Sequence, residues 1–239
     1  MKIPKIHGVI ERRILANYTA DPEVLSKILP APFRPKLFKG KAIVGICLIR
    51  LKSIKPKGFP NFFGVSSENA AHRFAVEWTD ESGQICEGVY IPTRDTNLYL
   101  NTLVGGRVFP GKHHYAKFNI HESNGNYHVD ARSSDQNHIQ IDARSTSTLT
   151  SASIFDNLQE VSQFFEKGSI GYSPNGKSFD GLKLNTYNWE VSPLEVLNIK
   201  STYFDDKNRF PEGSIQFDHA LLMLNIEHEW QSMKSISCL

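Results

Sequence analysis

The chain has 239 residues, of which 40% are hydrophobic and 22% are charged, and its formal net charge at pH 7 is +2. This length can bury a substantial core. A net charge so close to zero creates no long-range field that would gather nucleic acid, so we expect a neutral or small partner and no nucleic acid.

Neither a membrane segment nor a disulfide framework is expected. The longest strongly apolar run, residues 42–49, is far shorter than the roughly 20 residues that span a bilayer. The first residues include a proline and charges where a signal peptide needs an apolar core, so we expect a cytoplasmic protein. The three cysteines are widely separated and lack metal-ligand spacing: Cys47, Cys86 and Cys238.

The first hundred residues predict one short helix followed by strands. Asp21 can cap a helix that begins at Pro22, which suits the first helical position. Residues 42–51 are almost continuously apolar and predict a strand buried on both faces. Residues 73–78 alternate between apolar and polar side chains, and a turn joins them to residues 84–91 in a predicted hairpin.

Residues 95–104 predict a second short helix that leads into a glycine-rich turn. Asp95 would be its N-terminal cap, Gly105 would end it, and Arg94 would pair with Asp95 in a structural contact.

The middle of the chain predicts a meander of consecutive strands. Asn124-Gly125 is a strong hairpin signal between residues 115–122 and 127–132, and residues 138–144 alternate again.

The last third predicts an amphipathic helix and three strands. The helix is capped by Ser153 and ended by Gly168. Strand-like runs follow at 182–191, 194–204 and 215–230, the last broken near His219. Because strands lie on both sides of the helix and no linker or repeat is present, we expect one β-rich domain over residues 1–239, an α+β fold dominated by antiparallel strands.

Known cofactor and nucleophile signatures are missing from the sequence. It contains no Walker loop, no Gly-x-Gly-x-x-Gly fingerprint and no Gly-x-Ser-x-Gly or reactive-cysteine signature. The nine histidines show no metal-binding helical spacing. We therefore expect neither a metal nor a cofactor.

Residues 66–73 place acid, amide, imidazole and guanidinium groups just before a hydrophobic strand. At the edge of a cavity, Glu68, His72 and Arg73 could bind a carboxylate or transfer a proton. The alternative is a polar loop with a surface ion pair.

Residues 105–114 hold the densest group of reactive side chains: Arg107, Lys112, His113 and His114. A lysine forms a Schiff base only when its amine is unprotonated, which requires burial or a neighbouring cation. Arg107 and the two histidines could supply that charge to Lys112. The alternative is a solvated surface lysine.

Several segments resemble signature blocks of a YqjF-like bacterial family in the acetoacetate decarboxylase-like superfamily. The blocks lie at residues 48–51, 66–73, 88–92, 105–114 and 217–222. The resemblance implies a closed β-barrel with flanking helices and an internal cavity.

The same resemblance points to one missing group. The superfamily's decarboxylase carries Phe-Pro-Lys-Lys, in which the first lysine forms the Schiff base, whereas this chain has Gly111 at that position and matches only the second lysine, with Lys112. If the following strand is regular, Lys112 and His114 face a core or cavity and His113 faces the other way. A bulge at Gly111 would change that direction.

The resemblance leaves three alternatives. In the first, the chain is a decarboxylase-like lyase acting on a keto acid or related small carboxylate. Its catalytic residues would be Lys112, Glu68 and His72, with the substrate bound by Arg73, Arg107, His113 and His114. In the second, it is a non-catalytic ligand-binding barrel without the Schiff-base lysine. In the third, the polar groups form only a structural ion-pair network. Family resemblance also implies a homo-oligomer.

Overall fold

A computed structural model describes residues 5–60, 62, 64–99 and 110–237. We number its strands and helices in chain order. They are β1 (Ile6–Ala20), α1 (Pro22–Ile28), β2 (Arg34–Pro35), β3 (Leu37–Phe38), β4 (Lys41–Pro56), β5 (Val65–Thr79), β6 (Ile85–Tyr90), β7 (Arg94–Thr96), β8 (His113–Ser123), β9 (Asn126–Ser133), β10 (His138–Ser145), α2 (Leu158–Lys167), β11 (Ile170–Asn175), β12 (Ser178–Thr186), β13 (Ser192–Ser201) and β14 (Ile215–Ser237).

All the strands belong to one sheet, and most pairs are antiparallel. The described parallel pairs are β6 with β11 and β7 with β8. The predicted class, a predominantly antiparallel β fold with flanking helices, is therefore confirmed. Within the described residues, neither helix has the length and apolar character needed to cross a bilayer.

The sheet turns back on itself because two long strands each have two successive partners on one edge. β5 pairs along one edge with β4 and along the other with β6 and β7. β14 likewise pairs with β1 on one edge and with β12 and β13 on the other. The pairings consequently run round a ring of seven strands: β1, β4, β5, β6, β11, β12 and β14.

Side-chain alternation gives the shared strands two buried faces. In β1, Ile14 and Ala16 belong to the larger apolar core, whereas Leu15 belongs to a second core. Helix α2 covers this second core with Val161, Phe164 and Phe165. Since successive side chains on a strand point to opposite faces, neighbouring residues of β1, β4 and β5 reach different cores.

The structure changes two predicted helices. Helix α2 begins at Leu158 with Asn157 as its cap, not at Ser153, because the Asn157 side chain accepts from the Glu160 amide. Its end at Gly168 is confirmed.

The helix predicted at 95–104 is wrong at its start. Asp95 lies inside strand β7 and accepts a hydrogen bond from the Ser133 hydroxyl, so it caps no helix. Residues 100–109 lie outside the described residues.

The break predicted near His219 is a change of register. Strand β14 continues from Ile215 to Ser237, and its pairing with β1 shifts between Asn17 and Tyr18. Asn17 pairs with His219 and Tyr18 with Phe217, which leaves Asp218 as the extra residue of a bulge.

Candidate functional site

A cavity of about 140 Å³ lies inside the seven-strand ring, against the end of helix α2. Each of the seven strands contributes to its wall, and so does Phe165 of α2. Most of the wall is apolar. Its charged and imidazole-bearing members are Arg13, Arg73, Arg94, Asp95 and His113.

Arg73 is the most deeply buried of the three arginines. Its guanidinium donates a hydrogen bond to the side-chain oxygen of Asn17 and lies 4.7 Å from the centre of the Phe165 ring. Within the described residues, its buried Nε atom has no hydrogen-bond partner. Burial lowers the pKa of Arg73 to about 10, which keeps the group cationic at neutral pH.

Arg94 and Arg13 also make contacts that leave their charge uncancelled. Arg94 donates from Nε to the Pro110 carbonyl oxygen at 3.0 Å and from Nη2 to the Ser173 hydroxyl at 3.3 Å. Arg13 lies against two sulfur atoms, 3.4 Å from Cys47 Sγ and 3.8 Å from Met223 Sδ. Burial lowers the pKa of Arg94 to about 10, so this arginine is also charged at pH 7.

The cavity is therefore a cationic site. In the part of the chain that the structure describes, none of the three arginines pairs with a carboxylate. Positions outside that part contain no aspartate or glutamate in the sequence. Buried charges are normally paired, because removing an ion from water without a partner is costly. Three unpaired guanidinium groups around one cavity favour an anionic ligand.

His113 adds a neutral imidazole to the wall. Its Nδ1 atom lies 3.1 Å from the Gly111 carbonyl oxygen, which only accepts, so Nδ1 carries the proton and Nε2 is left as an acceptor. Burial, followed by the charge of Arg94, lowers the pKa of His113 to about 4. At neutral pH this side chain is therefore uncharged and can accept a hydrogen bond from a ligand.

Asp95 is the acidic member of the wall and belongs to a group of candidate metal ligands. Burial raises its pKa to about 6. One ligand atom each from Asp95, His114 and Asp135 lie within 4.8 Å of one another, and His114 Nδ1 is 2.8 Å from Asp135 Oδ2. Asp135 is exposed at the surface, and this arrangement is also that of an ordinary acid–imidazole contact. We assign no metal to it.

Lys112 does not line the cavity. It is exposed and precedes strand β8, whereas His113, the next residue, faces the cavity. Lys112 and His114 therefore do not face this cavity, although the even-numbered face of β8 reaches the larger core through Phe118 and Ile120. The alternation itself is regular, since His113 lies opposite Lys112 and His114; the cavity borders the odd-numbered face of β8.

Glu68 and His72 face away from Arg73, on the other side of β5. Glu68 accepts from Arg12 at 2.7 Å and from Arg50, so its carboxylate belongs to a separate ion-pair cluster. The His72 ring contacts the Ser201 hydroxyl at 2.9 Å and stacks on Tyr203, and burial lowers its pKa to about 3.

The structure thus brings together only part of the predicted site. Arg73 and His113 meet at the cavity, whereas Glu68, His72, Lys112 and His114 lie outside its wall. Arg107 lies outside the described residues.

Sequence reasoning missed Arg13 and misread Arg94. Arg13 lies on β1, for which no strand was predicted, although its even-numbered positions from Ile6 to Ala20 are buried one after another. The buried charge of Arg12 interrupts that apolar alternation. Arg94 was expected to pair with Asp95, but adjacent residues of a strand point to opposite faces, so Arg94 bonds elsewhere.

The architecture is similar to solved structures of acetoacetate decarboxylase-like proteins. Acetoacetate decarboxylase from Legionella pneumophila superimposes with a TM-score of 0.62 at 11% identity, covering 98% of this chain and 88% of that one. An acetoacetate decarboxylase-like enzyme from Sphingomonas wittichii gives 0.60 at 9% identity, covering 99% and 93%. The enduracididine biosynthesis enzyme MppR in complex with pyruvate gives 0.58 at 8% identity, covering 100% and 91%. At these identities the likeness shows the fold alone, which is acetoacetate decarboxylase-like.

Sequence comparison places the chain in a family. Among curated proteins no sequence matches it. The model of the DUF2071 family, described as an uncharacterized conserved protein, matches residues 9–221. Because this match covers most of the sequence, the chain belongs to the DUF2071 family.

Proposed function

We propose that this protein binds a small molecule bearing a carboxylate, in the class of the 2-keto and 3-keto acids, with Arg13, Arg73 and Arg94 around the anionic group. The observation that carries the proposal is the set of three guanidinium groups that line one cavity without a carboxylate partner among the described residues. The cavity volume of about 140 Å³ is well above the roughly 10–15 Å³ needed for a water molecule.

The fold relatives support this ligand class. One structural neighbour, MppR, is described in complex with pyruvate, and two others are acetoacetate decarboxylase and a related enzyme. Acetoacetate and pyruvate, the molecules named for these proteins, are both keto acids. The arginine-lined wall of this chain offers the bidentate donors that recognise a carboxylate.

The test compares a charged ligand with its neutral isostere. Calorimetric titration with pyruvate and acetoacetate should show binding, and pyruvamide, which lacks the negative charge, should bind far more weakly. Arg73→Met and Arg94→Met should each weaken pyruvate binding about tenfold or more, because each removes a charged hydrogen-bond donor. Lys112→Met should leave affinity unchanged. Equal binding of pyruvate and pyruvamide would contradict the proposal.

A lyase acting through a Schiff base on Lys112 is the competing function, with Glu68 or His72 as acid–base partner. One observation favours it: the Lys112 carbonyl oxygen accepts from the Arg94 amide at 3.0 Å, which fixes the lysine backbone beside a cavity residue. Borohydride reduction in the presence of acetoacetate, followed by peptide mass spectrometry, separates the two. An adduct on Lys112 and turnover lost in Lys112→Ala would favour the lyase; binding without an adduct would favour the ligand-binding protein.

Four narrower predictions from the sequence accompany the proposal. They are membership of the YqjF-like subgroup, a bacterial source, a cytoplasmic location and self-association. Sedimentation velocity of the purified chain tests the last of these directly.

A further inference from the structure

Four residues on four neighbouring strands form one row that ends at the cavity. His219 of β14 pairs with Asn17 of β1, Asn17 pairs with Gly45 of β4, and Gly45 pairs with Arg73 of β5. We call these residues the Asn17 row. Because paired residues lie side by side across a sheet, the row connects positions more than 200 apart in sequence.

Hydrogen bonds fix the orientation of the Asn17 side chain. Its Nδ2 atom donates to the Leu15 carbonyl oxygen at 3.1 Å, and that oxygen can only accept. Its Oδ1 atom accepts from the Arg73 guanidinium, which can only donate. The amide is therefore in the single orientation that satisfies both neighbours.

Gly45 provides the space for this contact. A Cβ atom at position 45 would lie 2.7 Å from the Ala16 carbonyl oxygen and 3.0 Å from Asn17 Oδ1. The side chains of Asn17 and Arg73 meet over Gly45, where the Cβ atom of any other residue would be too close to its neighbours.

The other end of the row is anchored by His219 and Asp218. Asn17 Nδ2 also lies 2.9 Å from His219 Nε2, which must accept, so the ring carries its proton on Nδ1 and donates it to Asp218. The bulge in β14 is what lets these adjacent side chains meet. Asp218 further accepts from the Ser153 hydroxyl at 2.7 Å and from the Ile154 amide at 2.8 Å.

The important chemical property of the Asn17 side chain is that it carries no negative charge. A neutral amide oxygen holds the Arg73 guanidinium in place but leaves its positive charge uncancelled, whereas a carboxylate would neutralise it. We propose that Asn17 and His219 are positioning residues that hold Arg73 ready for an anionic ligand while keeping its charge available. This inference rests on the proposed function of the cavity.

Asn17→Asp tests the inference with a nearly isosteric change. The new carboxylate would pair with Arg73, so pyruvate affinity should fall about tenfold or more. Asn119→Asp is the matched control, because Asn119 is exposed on β8 and the change in net charge is the same. It should bind pyruvate as the unaltered protein does. Unchanged affinity in Asn17→Asp would overturn the positioning role.

A second measurement tests the hydrogen bonds of the Asn17 row without any ligand. In the unaltered protein, ¹⁵N NMR should show one protonated ring nitrogen on His219 at pH 7. In Asn17→Asp, the ring would lie between two carboxylates and should carry protons on both nitrogens. A His219 ring that stays neutral in this variant would overturn the row.

The two measurements separate failure of the row from failure of the proposed function. If the unaltered protein binds neither pyruvate nor acetoacetate, the proposed function is wrong and Arg73 is not held for a ligand. If it binds pyruvate but Asn17→Asp does so equally well, only the row is wrong. Should Asn17→Asp fail to fold, His219→Gln replaces it: loss of the Asp218 anchor should weaken pyruvate binding several-fold, and unchanged affinity would remove His219 from the inference.

Discussion

At the residue scale, the cavity depends on charged groups that the fold buries without their usual partners. Arg73 and Arg94 remain cationic although burial lowers the pKa of each, and His113 is held neutral beside them. A guanidinium that stays charged in an apolar wall raises the free energy of the empty protein. A bound carboxylate would offset that cost, so ligand affinity and protein stability are linked at these residues.

Buried histidines predict a loss of stability in mild acid. Burial lowers the pKa of His72 to about 3 and that of His228 to about 4, both below the ordinary value of 6.5. Between these values the unfolded chain binds protons that the native protein does not, so the free energy of unfolding falls as pH drops from 6.5 towards 4. Each histidine contributes a slope of about 1.4 kcal/mol per pH unit. Asp95, whose pKa burial raises to about 6, partly opposes this below pH 6.

Urea unfolding at pH 7 and pH 5 measures this dependence. His72→Gln should make it shallower, because one buried imidazole no longer titrates. The exposed residue His121 provides the control substitution, His121→Gln, which should keep the dependence of the unaltered protein. An equal loss of stability between the two pH values in His72→Gln would contradict the prediction.

At the scale of elements, strands β14, β1, β4 and β5 bring the site together. They lie side by side, and their cross-strand pairs carry the Asn17 row from His219 to Arg73. Gly45, the glycine of this row, is needed for space between the strands and not for a turn. Its backbone is ordinary strand, and what matters is the close approach of its neighbours.

Gly45→Ala should therefore destabilise the protein and disturb Arg73. The added methyl group would lie too close to the Ala16 carbonyl oxygen, and overpacking of this kind costs about 1–3 kcal/mol. Gly168→Ala is the control, since a Cβ there would find the Phe165 carbonyl oxygen at 3.4 Å, an ordinary contact. Chemical denaturation measures the free energy of unfolding of both variants. If Gly45→Ala is as stable as Gly168→Ala, the strands around position 45 accommodate a methyl group and the prediction is wrong.

At the scale of the whole molecule, the two apolar cores share the same strands. Residues of β1 alternate between them, so neither core can lose its packing while the other keeps its strands intact. This arrangement favours unfolding as one cooperative unit.

Calorimetry should accordingly show a single transition. Phe74→Leu in the larger core and Met223→Ala in the second core should both shift that transition to lower temperature, with the calorimetric and van't Hoff enthalpies remaining equal. Two separable transitions in either variant would contradict the prediction.

Local signals predicted much of the fold. The Asn124-Gly125 turn lies between β8 and β9 as expected, and the end of helix α2 at Gly168 follows from its apolar periodicity and its terminal glycine. These features depend on residues close together in sequence. The strands of the predicted meander were found for the same reason.

The cavity could not be predicted in this way. Arg13, Arg73 and Arg94 come from three separate strands, and only the long-range pairing of those strands puts them on one wall. Alternation along β8 separates His113 from Lys112 and His114, but it does not reveal which of the two faces borders the cavity. The periodicity of apolar residues identifies the buried face of a single helix or strand. A cavity lined by several strands depends on how those strands pair, which this periodicity does not show.

The backbone and surroundings of Gly111 also limit whether a Schiff-base lysine could be introduced at this position. Gly111 stands where the decarboxylases of this fold are expected to carry their Schiff-base lysine. Its φ is +96°, and a Cβ there would lie 2.7 Å from the Ser173 Cβ. Gly111→Lys should therefore destabilise the protein by at least about 1 kcal/mol and give no borohydride-trapped adduct, as denaturation and mass spectrometry can measure.

Making room for that lysine means changing Ser173, yet the Ser173 hydroxyl accepts one of the two hydrogen bonds that the Arg94 side chain donates. A lysine at position 111 and Arg94 would thus compete for one corner of the cavity. A Schiff-base lysine at position 111 would require at least two coordinated substitutions, and the change at Ser173 would remove one hydrogen bond of Arg94. A single substitution at Gly111 is therefore not expected to introduce a Schiff-base lysine into the cavity.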